Sequence, residues 1–254
     1  MQDEIPVVSI ITPAYNCVDT IKYTYESIKN QTEKKFEWII TDDFSIDGTR
    51  EYLIDLSNND SRVKVIFNKI NSGAAVSRNE SIKAAKGKFI AFVDSDDLWR
   101  HDKLEVQLDF MKEQKADFTF TSYELIDEFG NALNKIVDEN KLKPVNYQDM
   151  LKKKATMGCS TVMLRRAAFS DLQMPLLRTG QDYALWLKLL RGGVVAHHID
   201  KPLSKYRILP NSISRNKFKK AKRQWQIYRE LENLSLSKAS ICFLFYAWRA
   251  IFRK

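Results

Sequence analysis

A chain of 254 residues with 44% apolar content is long enough for one sizeable core, or for one domain with an appendage. Its odd number of widely spaced cysteines argues against a disulfide framework and favours a reducing compartment. The net charge of +9 is unevenly placed, because residues 201–254 hold 14 basic and 2 acidic side chains, whereas the first 200 residues hold 27 basic and 30 acidic ones.

The chain starts with Met-Gln-Asp-Glu ahead of its first apolar run. A secretory signal would begin with basic residues and end at a small-residue cleavage site, and neither pattern is present. We therefore expect a cytoplasmic protein.

Apolar strand patterns alternate with helix patterns through the first half of the chain. Strands are predicted at 7–12, 36–41, 63–67, 89–93 and 118–123, and helices at 19–30, 47–56, 74–85 and 103–111. This alternation is typical of βαβ units. It predicts an α/β fold with a mostly parallel central sheet flanked by helices.

The second half is less regular. Residues 128–131 are predicted to form a turn between two strands, and residues 181–190 an apolar helix. A loop around Pro210 precedes the basic segment. We divide the chain into a globular body, residues 1–215, and a basic, aromatic, amphipathic helical tail, residues 216–254.

Acidic residues follow the fourth predicted strand as Asp94-Ser95-Asp96-Asp97. Open parallel sheets bind ligands beyond the carboxyl ends of their strands. Three carboxylates in four residues repel one another unless a cation or hydrogen-bond donors lie between them. Mg²⁺ and Mn²⁺ prefer such oxygen ligands and bridge to phosphate. The alternative is a solvated helix-capping turn.

Three other segments carry candidate site residues, and each has a structural alternative. Asp43 follows the second strand and would bind a base or ribose, or the segment would only cap the next helix through Ser45 or Asp47. Arg78 would meet a phosphate or lock an acidic loop. Asp182 begins an apolar helix, where it is either a general base or a favourable partner of the helix dipole.

Several common site types have no support in the sequence. Neither the P-loop pattern nor a dinucleotide-binding glycine pattern is present, and the nucleophile elbow of hydrolases is absent as well. The three histidines lack zinc-ligand spacing.

Taken together and in order, these segments resemble family 2 glycosyltransferases with the GT-A fold. The resemblance runs from Val8 to about Asn216, and it is nearest to bacterial enzymes of surface polysaccharides such as teichuronic acid, O-antigen and capsule. The matching pieces are residues 8–16, 27–32, 41–49, 73–79, 92–97 and 181–187, with Tyr206-Arg207 and residues 211–214.

The resemblance implies a nucleotide-sugar site. Pro13, Tyr15 and Asp43 would line the nucleobase pocket. Asp94 and Asp96 would form the DXD pair, in which Asp96 holds Mn²⁺ or Mg²⁺ on the diphosphate and Asp94 lies near the ribose and the metal.

Further residues follow from the same resemblance. Asp97 would be an additional metal contact, and Arg78 and Arg207 would bind the nucleotide sugar. Asp182 matches the catalytic base, although Gln181 replaces the usual Glu before it. Phe44 stands where the family usually has Gly or another small residue.

The expected function is therefore inverting, metal-dependent transfer from a nucleoside-diphosphate sugar, most often a UDP-sugar in this family, to a hydroxyl of a free or lipid-linked surface glycan. Two alternatives remain. A non-catalytic nucleotide-sugar-binding or membrane scaffold protein would tolerate loss of the acids. A sugar nucleotidylyltransferase would need a glycine-rich basic loop after the first strand.

The tail predicts attachment to the cytoplasmic face of a membrane. An apolar helical face is formed by Phe218, Ala221, Trp225, Tyr228 and Leu231, with lysines opposite. The apolar stretch 239–252 reaches only about 21 Å, which is too short for a bilayer core of roughly 30 Å. We expect a helix lying in the interface of an anionic membrane.

The alternative for this tail is a helix packed on the body, or a dimer contact. Nucleic-acid binding is not expected, because the regular aromatic platform of single-strand binders is lacking.

Overall fold

Strands and helices alternate along the computed structural model, which describes residues 5–140, 143–210 and 217–252. The strands in this part of the chain are β1 (Val8–Ala14), β2 (Phe36–Asp42), β3 (Val63–Phe67), β4 (Phe89–Phe92), β5 (Leu98–Trp99), β6 (Phe118–Ile126), β7 (Ala132–Val137), β8 (Met163–Arg165) and β9 (His197–Arg207). The α-helices are α1 (Val18–Lys29), α2 (Thr49–Asn59), α3 (Ala74–Ala84), α4 (Lys103–Glu113), α5 (Tyr147–Leu151), α6 (Gln181–Arg191), α7 (Lys217–Gln226) and α8 (Leu236–Phe252).

One sheet contains all of these strands in the order β3-β2-β1-β4-β8-β6-β9-β5, with β7 paired to β6. The first four strands in this order are parallel, as βαβ units require. Beyond β4 the sheet is mixed, because β8 runs antiparallel to both β4 and β6. The predicted α/β class is confirmed, and its parallel character belongs to the first four strands.

Both faces of the sheet are covered. Ile10 of β1 packs into a core with α1, α2 and α4, whereas the next residue, Ile11, packs into the opposite core with α3 and α6. Such burial on both sides explains why β1 is a continuous apolar run rather than an alternating pattern.

The tail packs against the body. A π-helical turn, Ile227–Leu231, follows α7 and inserts the fully buried Tyr228, whose hydroxyl donates to the Leu151 carbonyl at 2.6 Å. The carboxylate of Glu232 accepts from the Tyr147 hydroxyl at 2.6 Å. Our predicted boundary near residue 215 lies outside the described residues.

These contacts correct our assignment of one helical face to lipid. Trp225 and Leu231 pack on the core around Tyr228, and Trp225 meets Phe243 of α8 edge to face at 5.6 Å. Of the five residues that were predicted to share the apolar helical face, only Phe218 is largely exposed, at 90%. A helical pattern identifies an apolar face, but that face can be buried equally well by the protein body or by lipid.

Helix α8 carries a second apolar face that points outward. Its exposed members share spacings of three and four residues, and they are Ile241, Leu244, Phe245, Trp248 and Phe252. In the described part of the chain, no helix combines the length and apolar character needed to cross a bilayer.

We expect Tyr228→Phe to destabilise the folded chain by about 1–2 kcal/mol, because it leaves the buried Leu151 carbonyl without its hydroxyl donor. Urea denaturation followed by circular dichroism measures the free energy of unfolding.

The matched control is Tyr246→Phe in α8, which removes a hydroxyl from a half-buried tyrosine. It should change the free energy of unfolding by less than about 0.5 kcal/mol. Equal values for both variants would contradict a structural role for the Tyr228 hydroxyl.

Candidate active site

The loops that follow β1, β2 and β4 meet at one edge of the sheet. Strand β1 pairs in parallel with both β2 and β4, so the carboxyl ends of the three strands lie side by side. The Asp43 N–H donates to the Ala14 carbonyl at 2.8 Å, which joins two of these ends. Pro13 is half-buried in β1, and Tyr15 beyond it is 50% exposed.

Ser160 supports the acidic loop, residues 94–97 after β4, through two hydrogen bonds. This residue lies in a single 3₁₀ turn, Cys159–Thr161, which precedes β8. Its hydroxyl accepts from the Asp94 N–H at 3.0 Å and donates to an Asp97 carboxylate oxygen. The antiparallel return of β8 along β4 brings Ser160 to this place.

Asp97 is the buried carboxylate of the acidic loop. One of its oxygens accepts from the Ser160 hydroxyl, and the other accepts from the Arg207 backbone N–H at 3.0 Å. Burial, followed by the charges of Asp96 and Asp94, raises the pKa of Asp97 well above its usual value. Both oxygens of this carboxylate are therefore occupied by donors inside the protein.

Asp96 has a different environment. Arg207 Nε donates to its carbonyl oxygen at 2.9 Å, while its carboxylate has no hydrogen-bond or ion-pair partner among the described residues. Burial and the neighbouring charge of Asp94 raise the pKa of Asp96 to about 6. A nearby cation would stabilise the ionised form of this carboxylate.

Arg78 joins α3 to the acidic loop. Its buried guanidinium donates through Nη2 to Asp94, while Nε and Nη1 have no acceptor among the described residues. Burial lowers the pKa of Arg78, but the charges of Asp94 and Asp182 contribute to a net rise above its usual value. The predicted contact with the acidic loop is present, and two buried guanidinium nitrogens, Nε and Nη1, remain available to donate to another acceptor.

Asp43 holds the start of α3. One carboxylate oxygen accepts from Asn68 Nδ2 at 2.8 Å and the Ser72 N–H at 2.9 Å, and the other accepts from the Gly73 N–H at 2.7 Å. Asp43 therefore fixes the loop that precedes α3, whereas neither α2 nor α3 has a side-chain hydrogen bond from its N-cap residue. Asp47 meanwhile accepts from the Thr49 N–H at 3.0 Å, at the start of α2.

Phe44, the next residue, has a φ of +67°, in the left-handed region that a side chain with a Cβ disfavours. This backbone geometry explains why Gly or a small residue would be expected at the position. The aromatic ring is 44% exposed, near the carboxyl ends of β1 and β2.

Arg207, at the end of β9, is 6% exposed and ties three segments together. Besides the Asp96 carbonyl, its guanidinium donates through Nη1 to the Glu128 carbonyl at 2.9 Å, in the turn between β6 and β7. The sequence resemblance assigned Arg207 to nucleotide-sugar binding, which stays a prediction; in the structure its guanidinium contacts the acidic loop.

A cavity of about 870 Å³ adjoins the acidic loop and contains Asp182 in its wall. Asp94, Asp182 and Arg207 all line this cavity. Gly180, with a φ of +73°, directly precedes α6 and places Asp182 in the first turn of that helix. Asp94 and Asp182, which are 88 residues apart in the sequence, thus line the same cavity.

Sequence reasoning missed several residues of this cavity and its support. Ser160 supports the acidic loop, and Lys153, Lys220 and Arg223 line the cavity. Ser160 carries no local signal, since its partners are distant in sequence. The two tail residues were interpreted only as part of a basic surface.

The residues present fit a divalent cation held between protein and phosphate. Within the described ranges, no group of three or more acidic, histidine or cysteine side chains could hold a metal by itself. Mg²⁺ usually binds one or two carboxylates together with substrate phosphates and water. Asp96, with the partly exposed Asp94 two residues earlier, offers that kind of oxygen donor set.

Comparison with known sequences identifies relatives of this arrangement. Residues 9–173 match the family described as Glycosyl transferase family 2. The putative teichuronic acid biosynthesis glycosyltransferase TuaG of Bacillus subtilis (strain 168) is 45% identical over 246 residues, covering 97% of this chain and 96% of the relative.

A second relative is the UDP-Glc:alpha-D-GlcNAc-diphosphoundecaprenol beta-1,3-glucosyltransferase WfgD of Escherichia coli. It is 39% identical over 222 residues, covering 87% of this chain and 85% of the relative.

Among solved structures, S. aureus TarS 1-349 in complex with UDP-GlcNAc superposes with a TM-score of 0.76 at 20% identity. The match covers 96% of this chain and 73% of that chain. The likeness confirms the GT-A fold predicted from the sequence.

Proposed function

Since the chain belongs to glycosyl transferase family 2 and is a glycosyltransferase, we propose that it transfers a sugar from a UDP-sugar to a hydroxyl of a surface glycan, with inversion and with Mn²⁺ or Mg²⁺. One observation carries this proposal: Asp94, the first residue of the acidic loop, lines the same cavity as Asp182. A base and a phosphate site must share such a space for direct transfer.

The donor would bind at the carboxyl ends of β1, β2 and β4. Pro13, Tyr15 and Asp43 would surround the nucleobase, with Asp43 also fixing the loop before α3. Arg78 would offer its unpaired buried N–H groups to a donor oxygen.

Asp96, helped by Asp94, would hold the divalent cation, which when bound neutralises charge on the diphosphate. Asp97 and Arg207 would position this loop, because their polar groups are engaged with one another and with the backbone. We therefore assign the metal to Asp96 and Asp94 rather than to Asp97.

The reaction is a single displacement. Asp182 accepts the proton of the acceptor hydroxyl as that oxygen forms a bond to the anomeric carbon. The bond from the anomeric carbon to the diphosphate oxygen breaks, and the nucleoside diphosphate leaves with the electron pair. Attack opposite the leaving group inverts the anomeric centre.

The acceptor would be a surface glycan or its lipid-linked precursor. WfgD is named for transfer to a sugar on diphosphoundecaprenol, and TuaG for teichuronic acid biosynthesis. A lipid-linked acceptor agrees with a protein that binds the surface of a membrane.

A screen of nucleotide sugars tests this function. We expect the parent protein to release UDP from one UDP-sugar with Mn²⁺ or Mg²⁺, and to stop when the metal is chelated. Asp96→Asn should abolish metal-dependent UDP binding, measured by calorimetry, and lower turnover by orders of magnitude.

The matched control is Asp109→Asn, which changes an exposed carboxylate on α4. Unchanged metal-dependent UDP affinity in Asp96→Asn would overturn the metal assignment. Binding without turnover of any donor would favour the non-catalytic alternative, and release of pyrophosphate from a sugar phosphate and UTP would favour a nucleotidylyltransferase.

Asp182→Asn should lower kcat by roughly 10²–10⁴-fold, because the amide keeps the shape but accepts no proton. The Kd for the UDP-sugar should remain within about twofold of the parent value, since the base acts on the acceptor.

Steady-state kinetics with saturating donor measure this change. Transfer by Asp182→Asn at the parent rate would show that Asp182 serves only the start of α6.

We further propose that the exposed apolar face of α8 binds an anionic lipid surface on the cytoplasmic side of a membrane. Aromatic and aliphatic side chains on one face of a short helix, flanked by basic residues, suit a position at the headgroup level. Lys238 and Arg249 lie on the same helix, and α7 holds Lys217, Lys219, Lys220, Lys222 and Arg223.

Substitution on this face is a better test than deletion of the tail, because Tyr228 belongs to the core. Leu244→Gln with Trp248→Gln should lower partitioning onto vesicles containing phosphatidylglycerol by about tenfold or more, since two apolar side chains no longer enter the interface. Co-sedimentation with vesicles measures the partitioning.

The control is Ile54→Gln, at an exposed apolar position on α2 that is 46% exposed. Added salt should weaken binding of the parent only in part, because screening acts on the charges and leaves the apolar contribution. Equal partitioning of the parent and the double variant would exclude α8 as the anchor.

A further inference from the structure

The tail helix α7 supplies a wall of the cavity that contains Asp182. Lys220, Arg223 and Gln224 line this cavity from α7, and Ile227 follows them from the π-helical turn. The tail is therefore part of the site as well as a candidate membrane contact.

Arg223 lies against the start of helix α6. A Cβ placed on Gly180 would be 3.8 Å from Arg223 Cγ and 3.2 Å from Ile227 Cδ1. Because Asp182 is two residues beyond Gly180, the side chain of Arg223 begins close to the candidate base. The absence of a side chain at Gly180 leaves room for Ile227, which would be the tighter of the two contacts.

Lys220 and Arg223, the cationic side chains of this wall, form no ion pair with any described residue, although Asp94, Glu139 and Asp182 also line the cavity. Helix α7 has no acidic residue in its first turn. Asp138, also in the cavity wall, already accepts from the backbone N–H groups of Thr156 and Met157.

Two further features point to a polar ligand. Lys153 also lines the cavity, with its Nζ 3.2 Å from the centre of the Tyr183 ring, next to Asp182. Gln224 is 5% exposed and its side chain lies near the Tyr183 and Tyr228 hydroxyls, but its Nε2 forms no hydrogen bond of normal geometry with any described residue. Such a buried amide donor would gain from an acceptor supplied by a ligand or water.

We propose that Lys220 and Arg223, together with Lys153, bind a phosphate or diphosphate group on the acceptor. This inference rests on the proposed function, in which Asp182 receives the acceptor hydroxyl in the same cavity. Charged donors of this kind are typical phosphate partners. The donor diphosphate would be met by Arg78 and the acidic loop, where Asp94 lines the cavity.

The test uses the full chain and dodecyl diphosphate as the probe, kept below its micellar concentration. Lys220→Gln with Arg223→Gln should weaken its Kd by about tenfold or more, because two cations that contact the anionic group are removed. The Kd for UDP with Mn²⁺ should remain within about twofold of the parent value. Calorimetry measures both affinities.

Two comparisons separate a specific site from general charge. Lys222→Gln, at an exposed position on the same helix, should leave the dodecyl diphosphate affinity unchanged. Dodecyl maltoside, which has the same alkyl chain without a phosphate, should bind the parent and the double variant equally weakly.

Several outcomes would overturn the proposal. If the double variant binds UDP more weakly by the same factor as dodecyl diphosphate, these residues belong to the donor diphosphate site. Equal losses in Lys222→Gln would show general surface charge, and a parallel loss of binding to phosphatidylglycerol vesicles, without a change for dodecyl diphosphate, would assign them to lipid headgroups.

A folding defect is checked by thermal denaturation and by Lys220→Arg with Arg223→Lys. This pair keeps both charges and should retain binding of dodecyl diphosphate. If the proposed function itself is wrong, the parent protein will turn over no nucleotide sugar. A parent that turns over donor but does not bind dodecyl diphosphate would refute only the acceptor site.

Discussion

The structure depends on placing three carboxylates in four residues at the end of a buried strand. Like charges this close repel, and burial increases the cost. Asp97 is accommodated by the Ser160 hydroxyl and the Arg207 N–H, and Asp94 by Arg78. Ser160 arrives on the return strand β8 and Arg207 at the end of β9. The second half of the chain is therefore needed to hold the loop that ends β4 in the first half, and the carboxylate of Asp96 is left without a partner among the described residues.

The two halves of the chain therefore form two different regions of the candidate site. The parallel strands β1, β2 and β4 present the residues assigned to the donor at one edge of the sheet. The mixed part of the sheet, α6 and the tail surround the cavity into which Asp182 is placed. Arg78 and Arg207 connect the two regions, because one reaches Asp94 from α3 and the other reaches the acidic loop from β9. Changes to acceptor recognition can thus occur in the second region while the donor edge is preserved.

Apart from the two-residue strand β5, which was missed, the sequence predicted the elements of the first half within a few residues, because buried strands and amphipathic helices leave strong periodic patterns. It also identified Asp94 and Asp182 as site candidates. It did not predict the support of Asp94 by Ser160, since that hydrogen bond joins residues 66 positions apart and follows from the pairing of β4 with β8. The tail shows a second limit. Its helical periodicity revealed an apolar face around Tyr228, but the periodicity does not determine whether protein or lipid covers that face.

The arrangement of α8 links attachment to the choice of acceptor. Tyr246 lines the cavity, while Leu244 and Trp248 on the same helix are exposed to the outside. A lipid surface against the exposed face would therefore lie one helix diameter, about 10 Å, from the cavity wall. An acceptor carried on a lipid through a diphosphate has the same order of parts, with an apolar chain, an anionic group and then a sugar. With its chain in the bilayer, such a molecule would place its anionic group near Lys220 and Arg223 and its sugar toward Asp182. Packing the tail on the body, rather than leaving it as a separate anchor, would fix the distance between the proposed base and the proposed membrane surface.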